Sequence, residues 1–556
     1  MISDPETIHR RRWWTLAVLS LSLLIIVVDN TIVNVALPTL VRELHATTTQ
    51  LQWIVDAYTL VLAGMLLSMG SLGDRVGRHR ALAGGLVVFG VGSALAALSG
   101  SAAQLIASRT IMGLGAAMVM PATLSILTNV FTDPSERARA IAMWGAVAGL
   151  GIAIGPTAGG WLLEHYSWSS IFVVNIPIVA VALSAGRSLV PSFPANRGGR
   201  LDAAGAVLSV AGLVAVVYAV IEAPNKGWGS ASTLGVGAAG LAVLAVFGAW
   251  EVRNANPMVD LRFFRNPRFS AASLSITLIF FALLGWTFLF TQHLQFVFGY
   301  NTLQAGVRVL PFAIAIGVTA SFAAQLAERV GTKIVVAGGM TVMAVGLAMV
   351  SRSDIHTGFP YLLVASVVVA LGMGVAMAPA TESIMGALPP RHAGVGSAVN
   401  DTTRELGGAL GVAVLGSVAA TSYASGLHSA VAGLPSGMAS AATRSLGAAI
   451  AVGHAMPGTT GDGLVTAAKV SFLHAAGSAT LVAAGIALVG AAVAAVALPA
   501  RATEEAEAEA AEADEAVGEG AEVDGAVADG AVAEEAGTTV ASADTVDGGE
   551  ESLTLA

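Results

Sequence analysis

Six of the ionisable side chains inside otherwise apolar stretches could do chemistry: Asp29, Asp56, Arg109, Glu382, Arg404 and Glu405. A charge placed in hydrocarbon costs about 2.5–3.5 kcal/mol on insertion scales, so such positions mark pairing, water-lined cavities or proton chemistry. Asp29 lies about 15 residues, roughly 22 Å at helical rise, into the first apolar run. Asp56 and Arg109 each sit about one and a half turns from an end of theirs, which brings all three to one depth. There Arg109 can hold one carboxylate charged, while an acid without such a partner can load a proton from one side and release it to the other. Two plainer readings stay open: a static Asp29–Arg109 pair that locks helices, and a wetted interfacial Asp56 beside Trp53 and Tyr58. Trp53, Tyr58 and Trp286 offer aromatic faces to a cation or anchor at the interface. Glu382 is expected near Arg404 and Glu405, as a gate, a second titrating site or a partly solvated helix-end network.

The elements that must position these groups are membrane helices. Of 556 residues, 55% are hydrophobic and 11% charged, with a mean hydropathy of +0.75. Soluble domains carry about 25% charged residues, so a water-soluble globule is excluded. The absence of Cys excludes disulfides, thiolate metal sites and Cys nucleophiles. No metal site, catalytic residue set or nucleic-acid partner is expected, and no P-loop, HExxH or GxSxG motif occurs. The formal charge of −9 averages two unlike parts. From Arg501 onward there are 17 acids and one base, leaving a net +7 on residues 1–500. The segment 501–556, Ala/Gly/Asp/Glu-rich and without aromatics, is expected to be a disordered cytoplasmic tail.

A bilayer core needs about 20 apolar residues per helix. Candidate spans fall near 14–37, 51–69, 81–98, 105–127, 140–163, 169–186, 203–221, 232–250, 269–290, 304–327, 334–350, 360–386, 398–420 and 470–498. With the N-terminus in the cytoplasm, fourteen spans put 19 of the 27 Lys and Arg inside, five outside and three within spans. The membrane is therefore expected to be the cytoplasmic one, crossed many times, with both termini inside. The first span is too long for a signal peptide, holds Asp29–Asn30 and lacks a small-residue cleavage site.

Two stretches recur at nearly one offset. Gly73–His79 after the second span matches Ala327–Lys333 after the tenth, and Pro121–Leu127 matches Pro379–Met385. Spans 1–6 and 9–14 thus form two parallel copies of a six-helix unit with spans 7 and 8 inserted, a transporter architecture. The expected organisation is a cytoplasmic 1–13, an N-terminal bundle 14–188, an inserted region 189–268, a C-terminal bundle 269–500 and the tail. The C-terminal bundle includes a long external loop, 422–466, without an assigned role.

Five motifs carry a resemblance. Asp29–Pro38 lies in the first span, and Gly70–Arg80, with Gly73, Asp74, Arg75, Gly77 and Arg78, joins spans 2 and 3. Arg109, Gly113 and Gly115 lie in span 4, Gly151, Gly155, Pro156, Gly159 and Gly160 in span 5, and Trp168, Phe172, Asn175 and Pro177 in span 6. In this order the chain resembles the fourteen-span drug:proton antiporters of the major facilitator superfamily over residues 10–500, departing from the pattern at His79, Ala142 and Ser169. The resemblance implies an all-α fold of two six-helix bundles with two extra inserted helices. It also implies a non-enzymatic exporter of lipophilic, often cationic, drugs or antibiotics, driven by the proton gradient without a cofactor. Its partners would be those small molecules, protons and membrane lipids.

Each motif has a physical reading. Gly151, Gly155 and Gly159 repeat every four residues, a smooth stripe for close backbone approach, and Pro156 removes one helix hydrogen bond. This helix is expected to seal the two halves against leak. The 2–3 loop is expected to act as a conformational latch, or as a solvated topogenic loop. At about 100 mV and about one pH unit, one proton supplies about 3.7 kcal/mol, a roughly 500-fold gradient. Exchange of one proton for one monovalent cation moves no net charge and leaves only about tenfold, so strong cation export requires a second acid such as Asp56 or Glu382. Export of a single endogenous metabolite is the alternative, and a membrane enzyme or channel would need a catalytic set or pore ring that is not seen.

Overall fold

The computed structural model describes residues 5–191, 202–254, 257, 261–388, 393–456 and 458–498; the 501–556 tail lies outside them. Among the described residues the chain is all helical, with 14 helical spans long and apolar enough to cross a membrane. In order they are α1 (Pro5–Leu44), α2 (Thr48–Val76), α3 (Arg78–Ala97), α4 (Ala102–Val130) and α5 (Pro134–His165). The sixth span is broken at Val174 into α6 (Ser170–Val173) and α7 (Asn175–Leu189). The inserted pair is α8 (Ala203–Lys226) and α9 (Ala231–Arg253). The second half comprises α10 (Pro267–Gln292), prolonged by a π turn at His293–Val297, then α11 (Thr302–Val330), α12 (Thr332–Val350), α13 (Phe359–Gly386) and α14 (Ala393–Val431). Two short helices, α15 (Ser436–Arg444) and α16 (Leu446–Ala455), precede α17 (Thr459–Ala497).

The internal repeat reappears in backbone detail. Thr47 and Gln50 form a capping box at the start of α2, and Asn301 with Gln304 forms the same box on α11. Each of those helices ends at a glycine that also opens the next helix, Gly77 at φ 98° and Gly331 at φ 96°. Only glycine adopts that backbone readily, which is why the loop keeps one at both places. Gly85 of α3 abuts the Gly115 carbonyl of α4 as Gly339 of α12 abuts Gly372 of α13. A Cβ at the first glycine of either pair would stand 2.9 or 2.7 Å from the opposing oxygen.

The inserted hairpin is fastened by one carboxylate. Asp202 caps α8 through the Gly205 N–H (2.8 Å) and accepts from Trp250 Nε1 (2.9 Å) and Asn254 Nδ2 (2.7 Å) at the end of α9. Helix α8 then fills the groove between α2 and α14, where Leu60, Val217, Ile221, Ala409 and Ala413 form a separate apolar cluster. Ser209 bonds the Gly64 carbonyl (3.3 Å), fixing α8 against α2. Helix α9 packs on α8 and is otherwise almost bare.

The stretch 422–466 is not a loop. Helix α14 runs on to Val431, α17 begins at Thr459, and α15 and α16 bridge them. Tyr423 donates to the Ala442 carbonyl (3.1 Å), Thr48 to the Arg444 carbonyl (2.9 Å), and Gly447 meets Val41 and Phe296. Its small residues suit helix-on-helix packing, which composition alone had made look like linker.

Candidate functional site

The five-helix junction in the first half is built around one ion pair. Asp29 and Arg109 are both fully buried, and Arg109 Nη1 donates to Asp29 Oδ2 at 2.5 Å. Arg109 Nε donates to the Ile54 carbonyl (3.1 Å), and its guanidinium lies 4.2 Å from the centre of the Tyr58 ring. Asn175 Nδ2 donates to Asp29 Oδ1 (2.9 Å) and to Ser93 Oγ (3.2 Å). Helices α1, α3, α4 and α7 each contribute one group and α2 two, the Ile54 carbonyl and the Tyr58 ring. Gly113 permits this approach, because a Cβ there would stand 2.6 Å from the Tyr58 carbonyl. Breaking a buried pair by removing one partner costs about 3–5 kcal/mol, so the site tolerates no half-measures.

Asp56 does not join that junction. It lies on the face of α2 shared by Gln52, Trp53, Leu60 and Gly64, which meets α8 and α14. Tyr58 and Ile54 face Arg109 from roughly the opposite side, since two residues turn a helix by about 200°. Asp56 is fully buried, and neither carboxyl oxygen has a hydrogen-bond partner. The expectation of one cavity shared by three charges is thereby corrected, and so is a wetted Asp56. Equal depth does not mean equal direction.

In the second half, Arg404 Nη2 donates to Thr381 Oγ1 (3.2 Å), which donates onward to Asn400 Oδ1 (3.3 Å). Asn400 Nδ2 reaches Asp401 Oδ1 (3.5 Å), Arg404 sits 5.5 Å from the Phe280 ring, and Glu405 Oε2 is buried without a partner. Glu382 is exposed and contributes nothing to this network. It occupies the helix face next to Thr381, one residue too far round, so the expected grouping of Glu382 with Arg404 and Glu405 is wrong. Thr381, Asn400 and Asp401 were overlooked, although Asp401 stands one turn before Glu405 and carried the same signal.

Helix α5 has two smooth faces. Gly151, Gly155 and Gly159 accept Val27, Thr31 and Ile32 of α1, and the Thr31 hydroxyl reaches the Gly151 carbonyl (3.3 Å). Gly160 and Pro156 instead meet Thr302, Leu303 and Gly306 of α11, across the halves. Helix α14 repeats the arrangement, with Gly407 and Gly411 against Thr277 and Phe281 of α10, and Gly416 against Gln52 of α2.

Among the described residues, the hydrogen bonds joining the two halves cluster at one end of the bundle. Gln52 Nε2 donates to Val412, Ala413 and Ser417; Gln295 to Val35 (2.8 Å); Thr302 to Gly160 (3.2 Å); Asn301 to Glu164 (3.3 Å). The other end carries the Gly77 and Gly331 connections and their arginines. There the glycines of the basic half of α5 are open: a Cβ at Gly145 or Gly149 would meet nothing within 4 Å. In the 2–3 loop the Gly77 N–H bonds the Gly73 carbonyl (3.0 Å) and Arg78 reaches the Ser125 carbonyl (3.4 Å) on α4. Arg75 is half-buried there, and the Asp74 side chain lies outside the described residues. No group of three or more His, Asp or Glu that could hold a metal occurs among the described residues.

This geometry has relatives. The chain is 37% identical over 478 residues to the "Multidrug efflux pump LfrA" of Mycolicibacterium smegmatis, covering 86% of this chain and 94% of that protein. It is 34% identical over 467 residues to the "Methyl viologen resistance protein SmvA" of Salmonella typhimurium, covering 83% and 93%. A solved bacterial homologue of the human lysosomal transporter Spinster, inward-facing and unoccupied, superposes with a TM-score of 0.61 at 15% identity, covering 87% of this chain and 97% of that one. The sequence model of the Major Facilitator Superfamily matches residues 19–412, and with two paired six-helix halves around it, this chain is a multi-pass membrane protein belonging to the Major Facilitator Superfamily.

Proposed function

We propose that the protein is a proton-coupled antiporter of the cytoplasmic membrane, exporting lipophilic, often cationic, small molecules, with its basic end and both termini in the cytoplasm. The observation that carries this reading is the pair of unlike acids in one half. Asp29 is fully satisfied by Arg109 and Asn175, while Asp56 lies buried in the seam between the halves with no hydrogen-bond partner. A lone carboxylate charge in that seam would cost several kcal/mol, so the α2–α14 face closes over the neutral acid. When the outer ends part, water reaches Asp56 and its proton is exchanged with the outside. With the outer end closed, an entering cation competes for the Asp29 carboxylate, and Arg109 turns to the Ile54 carbonyl and Tyr58 ring that already hold it. Asp56, with Glu405 in the second half, supplies the titrating acids that export of a charged molecule requires, while Asp29 supplies the carboxylate that the cation meets. The naming of two relatives for multidrug efflux and methyl viologen resistance supports the same cargo class.

The test is substrate-triggered proton release from purified protein in weakly buffered detergent, with tetraphenylphosphonium as the cation, for wild type and Asp29→Asn. Release from wild type alone is expected, together with gradient-driven uptake into inverted proteoliposomes. Uptake without a pH gradient overturns the antiport reading. Response to a single metabolite across a dye panel replaces broad export with a dedicated exporter.

A further inference from the structure

Of the three arginines placed within apolar spans, Arg109 and Arg404 belong to the networks described above, and Arg308 of α11 belongs to neither. Its guanidinium carbon lies 3.9 Å from the centre of the Tyr300 ring and 5.3 Å from that of Phe359. Nη1 donates to the Gln304 carbonyl one turn back (3.1 Å), and the buried Nε has no hydrogen-bond partner. Among the described residues no carboxylate is ion-paired with it. A cation within a membrane span is thus held chiefly by ring faces.

The rings make an open box. Gly299, at φ 73°, turns the chain between Phe298 and Tyr300, whose rings stack at 5.5 Å and 16°. Phe359, the first residue of α13, stands nearly perpendicular to both, 6.4 Å from Phe298 and 5.9 Å from Tyr300. The buried His293 ring lies 5.1 Å from Phe298 and within 6° of parallel to it. The backbone below is tied down: the Tyr300 N–H bonds the Leu294 carbonyl (3.2 Å), and Lys469 Nζ donates to the Val297 carbonyl (3.3 Å). Phe298, Tyr300 and Phe359 are half-buried, while Gly299, Gly358 and Pro360 beside them are exposed, so one side of the box is reachable. The box also stands on the seam. Gln295, Asn301 and Thr302 of the same short stretch donate to Val35, Glu164 and Gly160 of the first half, so it shifts when the closed end parts.

We propose that this box is a second binding site, for an organic cation, at the closed end of the bundle, and that Arg308 is its resident stand-in. The occupant itself displays the preference of the site. A guanidinium is a flat, delocalised, weakly hydrated cation, and aromatic faces attract such charges. One carbonyl and two ring faces retain it, so a cation leaving through the parted seam can take its place. When the seam closes, Arg308 returns on its own tether and expels the cargo, which meets no carboxylate in the box that would hold it back. The inference rests on the cation-export reading for its purpose, though not for its test.

The test is equilibrium binding of tetramethylammonium to the purified full chain at pH 7, for wild type, Arg308→Met and Arg308→Met with Tyr300→Leu. Met keeps an apolar stem and removes the tethered charge; Leu fills space and removes the ring. Arg308→Met is expected to bind about tenfold more tightly than wild type, the factor for a box that Arg308 fills about nine-tenths of the time. Adding Tyr300→Leu is expected to abolish the gain. Wild-type affinity in Arg308→Met overturns the proposal, and so does a gain that survives Tyr300→Leu. If Arg308→Met does not fold, Arg308→Lys replaces it: a compact, strongly hydrated ammonium fills the box less well, so a gain of about threefold is expected and wild-type affinity overturns the proposal. Tetraphenylphosphonium-triggered proton release is followed on the same samples. Its absence beside an intact gain defeats the antiport reading and leaves the box standing, whereas release without the gain defeats the box alone.

Discussion

Gly160 offers a sharp test of how the closed end is held. A Cβ added there would stand 2.6 Å from the Thr302 carbonyl oxygen and 2.8 Å from the Leu303 Cα, both backbone atoms of the opposite half. Ordinary contact begins near 3.4 Å, so in Gly160→Ala helix α11 must retreat by about 0.8 Å. Neither neighbour can rotate away. Overpacking of this kind costs about 1–3 kcal/mol, and the cost falls only on the conformation in which α5 and α11 touch. It therefore tilts the equilibrium toward parted halves by about 5- to 150-fold. The chain contains no cysteine, so Ser417→Cys, fully buried at the closed α2–α14 seam, can serve as a single reporter. Labelling by a membrane-impermeant maleimide should accelerate by about tenfold in Gly160→Ala. Gly145→Ala, whose Cβ meets open space, should leave the rate unchanged. Unaltered labelling of a folded Gly160→Ala protein, or equal acceleration by both alanines, would refute the argument that this glycine contact holds the end shut.

Other outcomes follow from single contacts. Asp56→Asn should cut efflux of a lipophilic cation by about tenfold or more while sparing a neutral substrate within about threefold; equal loss for both, measured in the same cells, counts against a charge role for the seam acid. Glu382→Gln should leave export within about twofold, because that side chain is exposed and outside the Thr381–Arg404 network, whereas Glu405→Gln should reduce it by about tenfold. Arg12 forks onto Glu136 with two 2.9 Å bonds, and that hydrogen bonding holds the Glu136 carboxyl below its ordinary 4.5. The tether is complete above the unfolded value and is lost as pH falls through the lowered one. Glu136→Gln should accordingly lower the melting temperature at pH 7, with the gap closing below about pH 4; a gap that persists in acid would show another cause.

Residue type and depth were legible in the sequence; direction was not. Hydropathy located all fourteen spans, since each must cross the same hydrocarbon thickness whatever it touches. The repeat was visible because a glycine at positive φ cannot drift, and Gly77 and Gly331 hold nearly one backbone geometry. The Asp29–Arg109 partnership followed from two opposite charges at one level. Asp56 shared that level yet faces the other way, and Glu382 misses Arg404 by one residue, because azimuth around a buried helix leaves no polar–apolar contrast when every face is apolar. Asn175 stood out only within a motif because it bears no charge, although its amide too is costly to bury without a partner. The 422–466 helices were hidden by Ala, Gly and Ser, which look like linker in water and pack as helix in this fold.

The α8–α9 hairpin gives the molecule a sidedness within the plane of the bilayer. One of the two flanks where the halves meet, between α2 and α14, is walled by α8 and further screened by α9. Among the described residues no helix walls the flank between α5 and α11 in this way. Were cargo to enter from the lipid, it would find one uncovered flank instead of two, and parting the helices there would displace only acyl chains, while the same motion on the other flank would have to drag a whole helix pair through the membrane.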